Sequence, residues 1–454
     1  MQAESTTLKL GEMPKTRLTG NIREFTSDTI AFMLSSVQYG DLVKAHFGPF
    51  PFYIVNHPDI AQEVFVTKSQ SVMKSAVTRR SLYQAVGDGL FTSNGDFWKR
   101  QRKLAQPAFH TKRIANYADV MSEYTHEATN KWQDGVPIEM EREMSYLTMQ
   151  IIAKTVFDAH VDGEDEMSAA VRTMLRVVDN RFNRLISIPE WLPTAENRDM
   201  KKGMAVLDKA IQSFIDERRK SQEDKGDLLA MLMAAQDEEN GIGMTDKQLR
   251  DECLTIFGAG HETTSTALTW TFYLLSQHPE VEEKLHQELD SVLGGRLPAF
   301  EDLRRLPYTD MVFKEAMRLY PPAWGLTRDT IADVELGGIP VKKGSTVFIN
   351  IIGMHHNEAY FPNAKAFSPE RFSPENEKSI PKYAYLPFGA GPRVCIGNSF
   401  ASMEGCLITA TVAQKWRFSL PKGFNVRAVR MFTLRPENGM VLVPSLRQPI
   451  LQES

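Results

Sequence analysis

The chain has 454 residues, of which 42% are hydrophobic and 24% charged, and its formal net charge is −4. That composition excludes a disordered chain, a collagen-like repeat and a disulfide scaffold, and the mild acidity argues against a bulk electrostatic affinity for nucleic acid. Three cysteines, Cys253, Cys395 and Cys406, are too few for a disulfide framework at this length and fit no zinc spacing.

The first twenty residues, MQAESTTLKLGEMPKTRLTG, contain no apolar signal-peptide core and no span of about 20 apolar residues. No secretion and no stable membrane anchor are expected, the expected location is cytoplasmic, and residues 1–20 are expected to be flexible. Residues 43–57 place Phe, Tyr, Ile and Val between Gly and Pro and read as the short strands of a hairpin. From about 96 to 300 the pattern is mostly helical. It is broken at 187–198, SIPEWLPTAENR, by two prolines; this segment reads as a solvent loop, with a lid over a pocket as the functional alternative. Residues 327–350 turn β-rich again, with Gly337-Gly338 marking a hairpin turn. A loop-rich stretch, 354–394, leads into a last helix beginning near Cys395. No Gly-, Ser- or Pro-rich linker divides the chain, so one mainly α domain with a small β region is expected over 1–454.

The longest predicted helix starts at Thr245, where Thr245 and Gln248 form a capping box, and stops before Pro279. Its roughly 30 residues would span about 45 Å, enough to cross a domain. In its middle lies AGHETT, residues 259–264. A glycine and two threonines are poor choices for a helix centre, and such local rule-breaking often marks function. Threonine back-bonding can open a helix there and leave room for a ligand. His261 reads as a packed helix histidine rather than a metal ligand. Glu-x-x-Arg recurs by chance, but Glu315 and Arg318 lie in an apolar helix closed by Pro321-Pro322, where residues three apart share a face and can pair.

The most informative segment is FGAGPRVCIG, residues 388–397, which fits FxxGxRxCxG at Phe388, Gly391, Arg393, Cys395 and Gly397. Background frequencies would give such a match on the order of once in ten thousand chains of this size. A cysteine thiolate donates electron density to haem iron and favours O–O cleavage. Gly391 and Gly397 let the backbone turn and approach a flat cofactor without a Cβ clash. Arg393 offers a cation for a haem propionate. A helix following Cys395 would place its sulfur at an N-terminus, where N–H groups favour negative charge.

With this segment the chain resembles the cytochrome P450 family, as a soluble member of the bacterial type. The family's haem-between-helices fold and a non-covalent haem b are implied, with Cys395 as axial ligand to the iron. The resemblance implies that Ala259 and Gly260 lie against the haem and that Glu262 and Thr263 deliver protons to dioxygen. It further implies that Trp98 and Arg102, four apart in DFWKRQRKLAQPAFH, hold a propionate with Arg328, and that Glu315, Arg318 and Arg371 of FSPERF form a structural triad. GMHHNEAY, residues 353–360, departs from the family's frequent pattern and leaves His356 unassigned. The implied reaction inserts one oxygen atom of O2 into a lipophilic substrate of fatty acid, terpenoid, steroid or polyketide type. Electrons would come from a separate ferredoxin or flavodoxin with its reductase, with Lys99, Arg100 or Lys103 in the docking surface. A peroxide-driven peroxygenase, a hydroperoxide isomerase and a non-enzymatic haem sensor are the alternatives; Glu262-Thr263 argues against the first two. GDGLFTS, residues 87–93, resembles the fatty-acid-hydroxylating members, which would aim Phe91 over the haem. Trp324, Gly325 and Leu326 are expected to line the pocket, and Arg79 or Arg80 could anchor a substrate carboxylate, although solvated arginines are the commoner finding.

Overall fold

The computed structural model describes residues 8–447 apart from 18, 49, 162–165, 183, 185–187, 222–225 and 238–240. Its axis is one helix of 32 residues, Asp246–Gln277. The capping box forms as the sequence predicts: the Gln248 N–H donates to Thr245 Oγ1 at 3.3 Å, and the Thr245 N–H donates to Gln248 Oε1 at 2.9 Å. Pro279 opens the next helix, where its missing N–H leaves nothing unsatisfied. The central helix is buried on most sides from Leu249 to Leu275, as suits an interior helix rather than an amphipathic one. The helix runs through 259–264 without a break. The hydroxyls of Thr263, Thr266, Thr269 and Thr271 donate to carbonyls one turn back at 2.8, 2.9, 2.8 and 2.8 Å, which satisfies them without breaking the ladder.

Among the helices that pack on this axis are Met140–Phe157, Pro307–Leu319 and Asn398–Lys415, the last following the cysteine. Gly260 sits at the first contact, where a Cβ would come 2.9 Å from Ile152 Cδ1. Its smallness therefore serves helix-to-helix approach on that side.

A six-stranded sheet flanks the helices, in the order Leu10–Glu12, Leu42–Phe47, Phe50–Val55, Thr346–Ile349, Leu326–Thr330, Val72–Lys74. The hairpin read over 43–57 is present in antiparallel register from Leu42↔Val55 to Phe47↔Phe50. Gly337 and Gly338, at φ 56° and 78°, turn a second hairpin, the two positive φ values a two-residue turn of this type needs. The amino-terminal expectation is corrected in part. Residues 1–7 lie outside the described residues, but Leu10–Glu12 pairs parallel with Leu42–Lys44 and so covers an edge that would otherwise be open. A two-residue strand, Ile138–Glu139, interrupts the helical stretch; it is too short to leave a periodic signal. The break at 187–198 is also shorter than expected. Residue 187 lies outside the described residues, and helix resumes at Ala195, where Thr194 Oγ1 accepts the Asn197 N–H at 3.2 Å as an N-cap.

Glu315 and Arg318 are both fully buried and joined through Arg318 Nε and Nη2 at 2.7 and 2.8 Å. Arg371 Nε adds a bond to Glu315 Oε1 at 3.2 Å. The rest of Arg318 donates to the carbonyls of His355, Ala364 and Ala366. His355 Nε2 in turn accepts the Leu386 N–H at 2.9 Å, two residues before Phe388. His355 thus carries the brace to the cysteine loop, a residue the sequence reading passed over, while neighbouring His356 only bonds back to the Ile352 carbonyl at 3.0 Å.

Glu404, on the helix after the cysteine, is 1% exposed and neither of its oxygens is hydrogen-bonded. The Thr264 hydroxyl faces it closely enough to lower its pKa slightly, without hydrogen-bond alignment, and burial pushes that pKa up to about 8 from 4.5. The fold therefore favours its neutral form, and wild-type stability falls as pH rises from about 4.5 to about 8. Glu404→Gln, which cannot ionise, is expected to gain on the wild type across that window by up to about 1.4 kcal/mol per pH unit. Urea midpoints measured at acid and alkaline pH check this; a gap that stays constant with pH contradicts it.

Candidate active site

The cysteine loop is a tight turn held by its own backbone. The Cys395 N–H donates to the Phe388 carbonyl at 3.0 Å and the Val394 N–H to the Gly391 carbonyl at 3.0 Å. Gly391 lies at φ +69°, and a Cβ there would meet the Phe65 carbonyl oxygen at 1.9 Å, so its need for glycine comes from the neighbouring chain. Gly397 differs, since only an ordinary contact to Phe109 lies on its Cβ side, and that bare backbone is free to face a flat ligand. The following helix begins at Asn398, close after Cys395 as the sequence predicts.

The Cys395 thiol is accessible to solvent while protein surrounds it on its other sides. Burial pushes its pKa up, opposed by the Gly397 N–H and by the charges of Arg102 and Lys74. Cys253 and Cys406 are buried, with pKa values raised by burial, and behave as inert core thiols.

Cations converge around this thiol. Arg393 donates to the Ser93 carbonyl at 2.9 Å and to Asn94 Oδ1 at 3.0 Å, and its guanidinium lies 4.1 Å from the Trp98 ring centre. Its Nη1 is buried and has no partner among the described residues. Arg328, 6% exposed, donates to the Thr327 carbonyl at 2.8 Å and lies over the Phe65 ring. Arg102 donates to the Val394 carbonyl at 3.0 Å. The structure adds Lys74, whose ammonium sits 3.4 Å from the Phe91 ring centre. Burial pushes Lys74 well below the usual lysine range, and Arg328 and Arg393 push it further. Burial lowers Arg328 and Arg393 to about 10, the latter helped by Arg328. Among the described residues no carboxylate pairs with Lys74, Arg102, Arg328 or Arg393. Buried cations that repel one another, with one orphaned N–H and no protein counter-charge, fit a ligand carrying carboxylates at its edge, such as a haem with its propionates.

On the central helix, Ala259, Gly260 and Thr263 keep solvent access amid buried neighbours. Thr263 Oγ1 donates to the Ala259 carbonyl at 2.8 Å. Glu262 points elsewhere. It is 1% exposed, and its Oε1 accepts from Thr433 Oγ1 and Arg435 Nε, both at 2.7 Å. Arg435 also faces Glu141 at 3.6 Å. His261 packs beside Phe257, with Nδ1 3.3 Å from the Phe257 carbonyl.

Of the four expected pocket residues, Phe91 meets Phe432 at 6.0 Å between ring centres, and Phe432 meets Phe182 at 5.6 Å. These form an aromatic wall that the sequence reading captured only at Phe91. Leu326 lies against the cysteine loop, where a Cβ on Gly389 would come 3.2 Å from its Cδ1. Trp324 and Gly325 are half-buried against the sheet: the Trp324 ring packs on Phe348 at 5.2 Å, and a Cβ at 325 would meet Phe348 Cζ at 2.1 Å. Two basic residues also prove committed elsewhere. Arg100 donates to the Ile242 and Gly243 carbonyls and faces Asp237, and Arg79 pairs with Asp88 at 3.2 Å.

The family model described as Cytochrome P450 matches residues 15–443. The chain is 38% identical to cyclooctatin synthase of Streptomyces melanosporofaciens, covering 90% of each chain. It is 33% identical to pentalenene oxygenase of Streptomyces avermitilis, covering 92% of this chain and 93% of that one. The fold is similar to the crystal structure of the cytochrome P450DA heme domain, with a TM-score of 0.88, 25% identity, and coverage of 98% and 99%. Among the described residues no helix is long and apolar enough to cross a membrane.

Proposed function

The chain belongs to the cytochrome P450 family and is a haem-thiolate monooxygenase acting on a lipophilic substrate; we propose that this substrate is a terpenoid, oxidised above Cys395 in the cytoplasm. The single observation that carries the site assignment is the set of uncompensated cations around one accessible thiol. We assign Cys395 as the axial ligand. Arg328, Arg393 and Lys74 hold the carboxylates, with the Trp98 face supporting Arg393 and Arg102 supporting the loop at Val394. Phe388, Gly397, Ala259 and Gly260 would bound the faces of the ring. The group is haem b, since none of the three cysteines stands in a C-x-x-C-H attachment sequence. When bound, it supplies the activation of dioxygen that side chains cannot perform.

The chain's own residues bind, orient and supply protons. Phe91, Phe182 and Phe432 offer an apolar wall of the kind that encloses a hydrocarbon. With Arg79 bound to Asp88, one of the two arginines that could anchor a carboxylate is already paired, which favours a neutral skeleton over a fatty carboxylate. The names of the two Streptomyces relatives also point to terpenoid chemistry. Thr263 Oγ1, one turn from the Ala259 carbonyl, can hold a proton at the accessible face of the helix, and Glu262 is the acid beside it in sequence. Such a pair supports reduction of dioxygen over direct use of peroxide. Electrons come from a separate ferredoxin or flavodoxin system. Lys99 and Lys103 remain in its docking surface and Arg100 does not, being tied to Ile242 and Gly243.

Purified protein, reduced and exposed to carbon monoxide, is expected to give the strongly red-shifted Soret band of a thiolate ligand. Cys395→Ser should lose that band, and a histidine-type spectrum in the wild type would remove the assignment. In substrate titrations of the ferric enzyme, cyclic terpenes should shift the Soret band at lower concentration than long-chain fatty acids; the reverse order contradicts the terpenoid reading. Thr263→Ala should keep haem and substrate binding while the ratio of product to NAD(P)H consumed falls by roughly tenfold or more, the difference appearing as hydrogen peroxide. Unchanged coupling would count against a proton role for Thr263.

A further inference from the structure

GDGLFTS, residues 87–93, spans from the central helix to the cysteine loop and is fastened at both ends. At the cysteine end, Arg393 donates to the Ser93 carbonyl and to Asn94 Oδ1, and the Lys74 N–H donates to that same oxygen at 3.1 Å. At the helix end, two adjacent carboxylates accept its backbone amides. The Asp88 N–H donates to Asp251 Oδ2 at 2.9 Å and the Leu90 N–H to Glu252 Oε2 at 3.0 Å.

Both carboxylates are buried, at 2% and 0% exposure, where acidic side chains are rarely found without a specific partner. Asp251 is balanced by Lys247 at 2.6 Å and Arg250 at 2.8 Å. No cation pairs with Glu252 among the described residues, its Oε1 has no hydrogen-bond partner, and burial pushes its pKa up to about 8. Its one structural engagement is the Leu90 amide.

The close approach requires the two glycines. A Cβ on Gly87, at φ +63°, would lie 2.2 Å from Asp251 Oδ1, and one on Gly89 would lie 2.2 Å from Thr255 Oγ1. Thr92 Oγ1 closes the turn by donating to the Gly87 carbonyl at 2.6 Å. Between the two fastenings the segment presents Phe91 to Phe432 and to the Lys74 ammonium.

We propose that Asp251 and Glu252 are positioning residues for the substrate pocket, holding the Asp88 and Leu90 amides on the central helix so that Phe91 is fixed as a wall that discriminates ligands by bulk. The inference rests on the reading of Phe91 as a pocket residue. A role confined to helix packing would stabilise the fold and leave ligand discrimination unchanged.

The test uses the haem-loaded enzyme with two probes, imidazole and the bulkier phenylimidazole, titrated by the visible spectrum, together with amide hydrogen exchange over 87–93. Glu252→Leu and Gly89→Ala should each speed exchange at Asp88 to Leu90 by roughly tenfold or more and change the ratio of the two affinities by about tenfold. Glu252→Gln, whose amide oxygen still accepts, should match the wild type in both. Gly89→Ala leaves both carboxylates in place and decides the question if Glu252→Leu does not fold. Phe91→Ala separates the two levels of the reading. If it alters the affinity ratio while the latch variants speed exchange and leave the ratio unchanged, the pocket reading stands and the latch inference is overturned. If Phe91→Ala leaves the ratio unchanged, the pocket reading fails and takes the inference with it. Unchanged exchange in both latch variants also overturns it.

Discussion

Positive charge without a protein counter-charge is the constraint on which this architecture turns. Lys74 ends an edge strand, Arg328 lies in the strand paired with it, and Arg393 lies in the cysteine loop. Burial depresses the proton affinity of all three, and repulsion from neighbouring arginines adds to it at Lys74 and Arg393. Stranding buried cations is costly, since an ion removed from water must recover its hydration from partners. The fold supplies only partial recovery, through the carbonyls of Ser93 and Thr327 and the faces of Trp98 and Phe65. A ligand bringing carboxylates completes the arrangement, so its binding energy is also conformational energy for the loop, the strand edge and the helix that meet there.

Around that charge the chain uses two kinds of rigid support. On the cysteine side, a fully buried Glu315–Arg318 pair spreads its donors over His355, Ala364 and Ala366, and His355 passes the restraint on to Leu386. A buried pair is poor evidence of net stabilisation by itself. Here its remaining donors are spent on the carbonyls of irregular backbone, which would otherwise be unsatisfied. On the other side, the central helix provides carboxylates rather than cations, at Asp251 and Glu252, and they hold irregular backbone by its amides. Arg393 belongs to both supports, because it fastens Ser93 and Asn94 while keeping one N–H for the ligand. Loading the site and shaping the pocket wall therefore share a residue.

What could be read beforehand was whatever is local. The capping box at Thr245, the Gly337-Gly338 turn and the cysteine segment are each specified within a few residues, and each is present as read. The Glu315–Arg318 pair was legible because three-residue spacing fixes a shared helix face. Lys74 was not, since nothing in SVMKSA separates it from a solvated lysine; its role arises where strands distant in sequence meet. Thr433 and Arg435 were hidden for the same reason, reaching Glu262 from more than a hundred residues away. The packing of Trp324 and Gly325 on Phe348 was not legible either, because residues just after a Pro-Pro turn can face either layer. Gly260 was legible only in part: its motif position is local, but the Ile152 contact that its smallness admits is not.

The surroundings of Glu262 show how a charge is kept inside the central helix. Its hydrogen bonds fall on Oε1, from Thr433 and Arg435, and Arg435 is also faced by Glu141. Glu141 lies nearer the surface at 21% side-chain exposure, and burial pushes its pKa up to about 7 even against the opposing charge of Arg435. One arginine thus stands between two acids, and the inner acid immediately precedes Thr263. Burying Glu262 and Arg435 desolvates both; the direct pair and the Thr433 hydroxyl offset that cost, so the three side chains act as one unit fixed by residues distant in sequence.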